Sequence, residues 1–218
     1  MSLMFFGHPF ASYCQKALIA LYENGTPFAF RILDKSDPST FAEFAALWPL
    51  KRFPLLVDEG HVIAEATIII EYLGLRHPGP VRLIPDDPEA LEVRFVDRFF
   101  DNYIQTPQSK IVTDALRNAR ERDVKGVADA RAMLDTAYGW LEKRMANRTW
   151  AVGDRFSLAD CSAAPALFYA DWSHPIAESF PNVRAYRRRL NARASFARAI
   201  EEARPYRSFF PLGAPDRD

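Results

Sequence analysis

Arg52-Phe53-Pro54-Leu55-Leu56-Val57-Asp58-Glu59-Gly60-His61-Val62-Ile63-Ala64-Glu65-Ala66 is the stretch on which the fold turns. Leu55-Leu56-Val57 and His61-Val62-Ile63-Ala64 are short branched, apolar runs, and Asp58-Glu59-Gly60 between them has the chemistry of a tight hairpin turn. Pro54 heads the first run, where a missing N–H costs no interior ladder bond; a trans strand entry and a cis turn both satisfy that position. Glu65-Ala66 then opens a helix to Arg76, with Ile68, Ile69, Tyr72 and Leu73 apolar and Pro78 past its end.

Upstream, each change of hydrophobic period is marked by a turn signal. Leu3 to Phe6 is a buried strand closed by Gly7-His8-Pro9. Ser12 to Asn24 carries Cys14, Ala17, Leu18, Leu21 and Tyr22 at helical spacing, with Asn24-Gly25 as a left-handed stop. Phe28 to Ile32 alternates as a strand does, and Asp37-Pro38 caps a short helix with Phe41, Phe44, Ala45 and Trp48 on one side. The order βαβαββα demands a right-handed parallel crossover first and a hairpin last, hence a small mixed sheet flanked by helices.

Downstream, Pro-Gly-Pro-Val-Arg-Leu-Ile-Pro-Asp-Asp-Pro at 78–88 holds four of the 16 prolines and reads as a stiff connection. The expected division is therefore 1–77, a linker 78–88, and an all-helical 89–218. Residues 89–105 form an amphipathic helix with Leu91, Phe95, Phe99 and Ile104 apolar, ended by Pro107, and 123–146 form another. Ser157-Leu158-Ala159-Asp160 is a capping box, with Phe156 placed to staple against Cys161.

A chain of 218 residues, with 28 basic and 28 acidic side chains and 49% hydrophobic residues, belongs to the soluble globular class. No net field draws it to nucleic acid, and the arginines at 184–198 are read as a solvated helix face. The four histidines and two cysteines have no ligand spacing, so no metal is expected, and no glycine-rich loop offers a nucleotide cradle. Two cysteines inside helical patterns fit a reducing compartment, and the absence of a leader or an 18-residue apolar run points to a cytoplasmic protein without a membrane span.

Three segments in the right order carry a resemblance that spans nearly the whole chain: Ser12-Tyr13-Cys14-Gln15-Lys16-Ala17, Trp48-Pro49-Leu50-Lys51-Arg52-Phe53-Pro54-Leu55-Leu56 and Glu65-Ala66-Thr67-Ile68-Ile69-Ile70-Glu71-Tyr72-Leu73. They are similar to the first helix, the Asn-Pro-x-Gly-Lys-Val-Pro-x-Leu stretch and the Glu-Ser-x-x-Ile-x-x-Tyr-Leu stretch of the serine-type cytosolic glutathione S-transferases. The resemblance implies a thioredoxin-like α/β domain that binds glutathione, then an all-α domain walling the site of a small apolar electrophile, in a homodimer serving detoxification.

On that resemblance a cis Pro54 turns the Phe53 backbone toward the cysteinyl part of the tripeptide, as an added strand would pair. The helix start at Glu65 and Ala66 takes the γ-glutamyl end, and Arg52 the glycyl carboxylate. The family's serine falls on Ala11, with Ser12 next to it. Either the Ser12 hydroxyl or the backbone N–H groups of this helix then favour the thiolate. Phe10, Phe99 and Tyr103 are the candidates for the electrophile wall, while Tyr13 is read as wall and Cys14 as packing. Two departures, Ala11 and Ala66, leave open a non-catalytic binding protein, and Cys14 leaves open a glutathione-dependent isomerase or thiol reductase.

Overall fold

Strict alternation in β1 (Leu3–Gly7) sends Leu3 and Phe5 to one face of a sheet and Phe6 to the other, and the two faces recruit different helices. The computed structural model describes residues 3–218; residues 1 and 2 of the expected first unit lie outside them. The sheet runs β2 (Phe28–Ile32), β1, β3 (Leu55–Asp58), β4 (His61–Ala64). β1 is parallel to β2, with Phe5 opposite Phe30, and antiparallel to β3, with Phe5 opposite Leu56. The hairpin pairs Asp58 with His61, leaving Glu59 (φ 49°) and Gly60 (φ 85°) as its two-residue loop, both left-handed as a type I′ turn requires.

On one face, Phe5, Leu56 and Ile63 join α1 (Ser12–Glu23) and α3 (Ala66–Arg76) in the main core. On the other, Phe6, Leu55 and Val57 close over Phe44 of α2 (Pro38–Leu47). Asp37 caps α2 as its sequence implies, accepting from the N–H groups of Ser39 and Thr40. Glycine is required where β1 meets α1: a Cβ on Gly7 would stand 2.6 Å from Cys14 Sγ. Between α3 and α4 (Glu89–Phe99) the proline-rich segment forms neither helix nor strand.

The remainder is helical: α5 (Thr106–Ala115), α6 (Val124–Met145), α7 (Leu158–Ser173), α8 (Pro181–Asn191) and α9 (Ala194–Ala203). Every residue of α7 is buried, and α1 packs against it, which locks the sheet unit to the helices. The Ser157–Asp160 capping box closes, the Ser157 N–H donating to Asp160 Oδ2 at 2.9 Å, and Phe156 and Cys161 are buried in the same core.

Two expectations for 89–105 fail. Pro107 does not end the helix. A π-helical stretch, Phe100–Gln105, widens the turn ahead of it, and α5 continues with Pro107 in its first turn, where no N–H is needed. Nor do Leu91 and Phe95 face inward: they are 77% and 51% exposed, while Val93, Val96, Asp97, Phe99 and Phe100 make the buried stripe. The charge on Asp97 disguises that stripe in the sequence, and it is tolerated there because Lys16 Nζ meets Asp97 Oδ1 at 2.6 Å.

Candidate functional site

Ala11, with φ −96° and ψ 123°, is the N-cap of α1, and Ser12 is its first helical residue, so the Ser12 hydroxyl is not taken up in capping. The first N–H groups of a helix have no partner within it, and here they open onto a cavity of about 840 Å³. The loop before them is held from behind. Phe10 N–H donates to His8 Nδ1 at 3.1 Å, Gln15 Nε2 donates to the Pro9 carbonyl at 2.9 Å, and Tyr169 OH of α7 donates to the Phe10 carbonyl at 3.0 Å. Burial lowers the His8 pKa, which suits the acceptor role of its ring nitrogen.

The sheet unit supplies the cavity's other backbone features. The Phe53-Pro54 bond is cis, one of the two geometries open to Pro54 in the sequence. Lys51 (φ 52°) and Glu65 (φ 72°) both hold left-handed backbone that non-glycine residues rarely adopt, and both line the cavity. At Glu65 this aims the first N–H groups of α3, beginning at Ala66, into the same space. Thus Phe10, Ser12, Arg52, Phe53, Pro54, Glu65 and Ala66 stand together around one opening.

Phe99 and Tyr103 do not line it. Phe99 stacks 4.2 Å from Trp140 of α6 and 5.6 Å from Tyr103, on a different side of the helical unit. The cavity side of this continuous helix is polar instead: Asp101, Asn102, Gln105, Gln108 and Ser109 line it, with Val112 and Leu116 farther along. Phe209, Phe210 and Pro211 complete the mouth. Sequence reasoning missed Gln108 and Ser109 because it ended the helix at Pro107; the recurrence of Asn102, Gln105 and Ser109 at helical spacing was the available signal.

Beneath the cavity, the sheet unit and the helices share a buried charge cluster. Lys16 Nζ contacts Asp97 Oδ1 at 2.6 Å and Asp101 Oδ2 at 2.9 Å and donates to Thr67 Oγ1 at 2.9 Å. Arg98 pairs with both carboxylates, and Ser162 of α7 donates to Asp97. Burial opposes ionisation of Asp97, yet Lys16 and these donors hold its pKa below the ordinary value. Asp101 goes the other way: burial raises it against the pull of Lys16. Burial first, then the Asp101 charge, pushes Tyr13, which lines the cavity, up to about 12.

Cys14 is fully buried, accepts the His8 N–H at 3.4 Å, and has its thiol pushed up to about 12 by burial. That is packing chemistry, with the thiolate suppressed. Among the described residues no group of three or more His, Cys, Asp or Glu side chains is placed to hold a metal ion, and no helix is long and apolar enough to cross a membrane. A second cavity, of about 470 Å³, opens beside α3 and the proline-rich segment; its Arg82 and Arg94 are committed to Asp86 and Glu71.

The chain matches the glutathione S-transferase N-terminal domain over residues 5–81 and the glutathione S-transferase C-terminal domain over residues 117–189. It is 28% identical over 200 residues to the glutathione S-transferase hmp2 of Hypomyces subiculosus, covering 87% of this chain and 94% of that one. It is also 28% identical over 199 residues to a stringent starvation protein A homolog of Haemophilus ducreyi, covering 88% and 87%. A crystal structure of a Methylobacterium radiotolerans glutathione S-transferase, in complex with glutathione sulfonate, superposes with a TM-score of 0.78 at 28% identity over 92% of this chain and 95% of that one. With both domain models matched in order and the sheet topology in place, the chain belongs to the cytosolic glutathione S-transferase superfamily.

Proposed function

We propose that the protein is a glutathione transferase, in which the glutathione thiolate displaces a leaving group from, or adds to, an electrophile. The observation that carries the reading is the uncapped Ser12 hydroxyl at the start of α1, on the same cavity as Arg52, Phe53, Glu65 and Ala66. In this reading residues 1–77 hold the tripeptide and 89–218 the electrophile, with 78–88 as the linker. Arg52 takes the glycyl carboxylate, the Phe53 backbone pairs with the cysteinyl residue, and the α3 start with Glu65 takes the γ-glutamyl group. A thiol of ordinary pKa, about 8.5, is mostly protonated at pH 7; a donor bonded more strongly to thiolate than to thiol lowers that value and supplies the nucleophile. Cytoplasmic detoxification is the setting this chemistry suits.

The test is the thiolate absorbance of bound glutathione titrated against pH in the protein and in Ser12→Ala. Loss of a hydrogen bond to a charged group, worth roughly 1.5–3 kcal/mol, raises the midpoint and lowers turnover at neutral pH by about one to two orders of magnitude. Equal midpoints move the role to the backbone N–H groups of α1.

A homodimer is part of the proposal. Leu91, Phe95, Tyr103 and Ile68 are large exposed apolar side chains on α3, α4 and the π-helical stretch, the surface a second copy would cover. Sedimentation at micromolar concentration is expected to give twice 24.8 kDa. Ala11 and Ala66 favour one other reading, a glutathione-binding interaction protein without transferase activity. Retention on immobilised glutathione without conjugation of any electrophile would select it.

A further inference from the structure

The backbone of residues 8–11, which carries the chain from β1 into α1, is bonded almost entirely within the sheet unit. The Ala11 N–H donates to the His8 carbonyl at 3.0 Å, the Phe10 N–H to His8 Nδ1, and the Gln15 N–H to the Ala11 carbonyl at 2.9 Å. The Pro9 carbonyl accepts from Gln15 Nε2. Among the described residues the Phe10 carbonyl differs: its donor, Tyr169 OH, comes from α7, 159 positions away. The direction of that bond is set by its neighbours. A carbonyl can only accept, so the contact with the Pro9 oxygen at 2.9 Å fixes which end of the Gln15 amide faces the loop. The second N–H of that nitrogen goes to the Tyr169 hydroxyl at 3.1 Å, which leaves the hydroxyl proton for Phe10. Burial keeps Tyr169 protonated by raising its pKa well above the ordinary value. The other end of the amide, Gln15 Oε1, is buried without a partner. Such an orphan is disfavoured. What Gln15 secures in spite of it is the orientation of two carbonyls immediately ahead of Ser12.

We propose that Tyr169, held in turn by Gln15, is a positioning residue for the glutathione thiolate. This rests on the glutathione transferase reading. The Phe10 oxygen is the negative end of the last peptide dipole before the N-cap of α1. With Tyr169 on it, that oxygen is held on α7. Released, it is free to turn toward the cavity, where it repels an anion, and the peptide plane that turns with it carries Ala11 and so the Ser12 hydroxyl and the free N–H groups of the first turn. A thiolate feels that change more than a thiol does, because the donors at the start of α1 bond the anion more strongly. Tyr169 thus acts through the Phe10 carbonyl, and the helical unit takes part in making the nucleophile as well as in walling the electrophile.

The experiment is a pH titration of the thiolate absorbance of bound glutathione in the full chain, beside kcat and KM with 1-chloro-2,4-dinitrobenzene. Tyr169→Phe removes the hydroxyl and keeps the ring against Phe10 and Trp172, at centroid distances of 5.4 and 5.6 Å. It is expected to raise the midpoint by about half to one pH unit, less than Ser12→Ala does, because the donors are turned and not removed. Below the midpoint kcat is then expected to fall about three- to tenfold and to recover as pH rises, while KM for glutathione stays within about twofold. Phe168→Leu is the control: it loosens the same helix at a buried ring packed on Phe196 of α9, and is expected to lower the urea midpoint and leave the titration in place. Gln15→Met takes the donor from Pro9 and from Tyr169; it is expected to raise the titration midpoint too, and stands in for a Tyr169 variant that fails to fold. An unchanged midpoint in Tyr169→Phe, or in Gln15→Met where it stands in, would overturn the positioning role and leave the transferase reading in place. So would an equal rise in Phe168→Leu. A midpoint in the unmodified protein equal to that of free glutathione would overturn both.

Discussion

The two walls of the cavity are built by different means. On the sheet side, position comes from backbone: the N-cap geometry of Ala11, the cis bond at Pro54 and the left-handed Lys51 and Glu65. On the helical side it comes from side chains on a continuous helix that includes the π-helical stretch 100–105. Backbone features of the first kind are encoded locally, in turn residues and prolines a few positions apart. The second kind depends on which carboxylates the buried Lys16 can neutralise, and so on residues some 80 positions away in sequence.

That dependence gives the largest expected effect. Lys16 joins α1 to Asp97 and Asp101, and its removal leaves two buried carboxylates with the half-exposed Arg98 as their cationic partner among the described residues. Lys16→Met should lower the unfolding free energy at pH 7 by about 3–5 kcal/mol, read from urea denaturation. A loss below about 1 kcal/mol would show that the two walls are held independently.

Legibility in the sequence divides along the same line. The order βαβαββα, the Asp37 cap, the Asp58–His61 hairpin and the Ser157–Asp160 box are all local signals, and the structure has each of them. Phe10, Ser12, Arg52, Phe53, Pro54, Glu65 and Ala66 share one cavity because the stretches that carry them are themselves local. Leu91 and Phe95 are misplaced by the sequence pattern because apolar periodicity selects them with Phe99, whereas the buried stripe contains the charged Asp97. Binary patterning reads a paired carboxylate as solvent-facing, and it has no symbol for a π turn.

A second buried carboxylate differs from these, since among the described residues Asp160 has no cationic partner like Lys16. It is fully buried and accepts from the N–H groups of Ala151 and Ser157, the Ser157 hydroxyl and the Tyr186 hydroxyl, the last at 2.6 Å. Burial nonetheless outweighs these donors and pushes its pKa up to about 6. Because the folded value lies above the unfolded one, the stability linked to this proton is complete below about pH 4 and is lost as pH rises through about 6. The stability of the protein relative to Asp160→Asn should therefore shrink by about 3 kcal/mol between pH 4 and pH 7.5, which a urea series across that range would read. A difference that grows with pH would mean that the four hydrogen bonds prevail over burial.

Ser157→Ala tests the smallest of these effects, at the one local signal in the helical unit that was fully legible. The hydroxyl donates to Asp160 Oδ2 at 3.2 Å, but the Ser157 backbone N–H reaches the same oxygen at 2.9 Å and survives the substitution. Ala151 and Tyr186 also remain on Asp160. The substitution removes one side-chain bond and the preference of serine for the N-cap, together about 1 kcal/mol. The box also stands outside the cavity lining, so glutathione affinity should stay within twofold of the parent while the urea midpoint falls. A stability equal to the parent's would show that the backbone bond alone holds the start of α7. A fall in affinity larger than the stability loss would show that this helix, buried along its whole length, transmits its N-terminal geometry to Tyr169 and the Phe10 carbonyl, and so to the sheet-side wall.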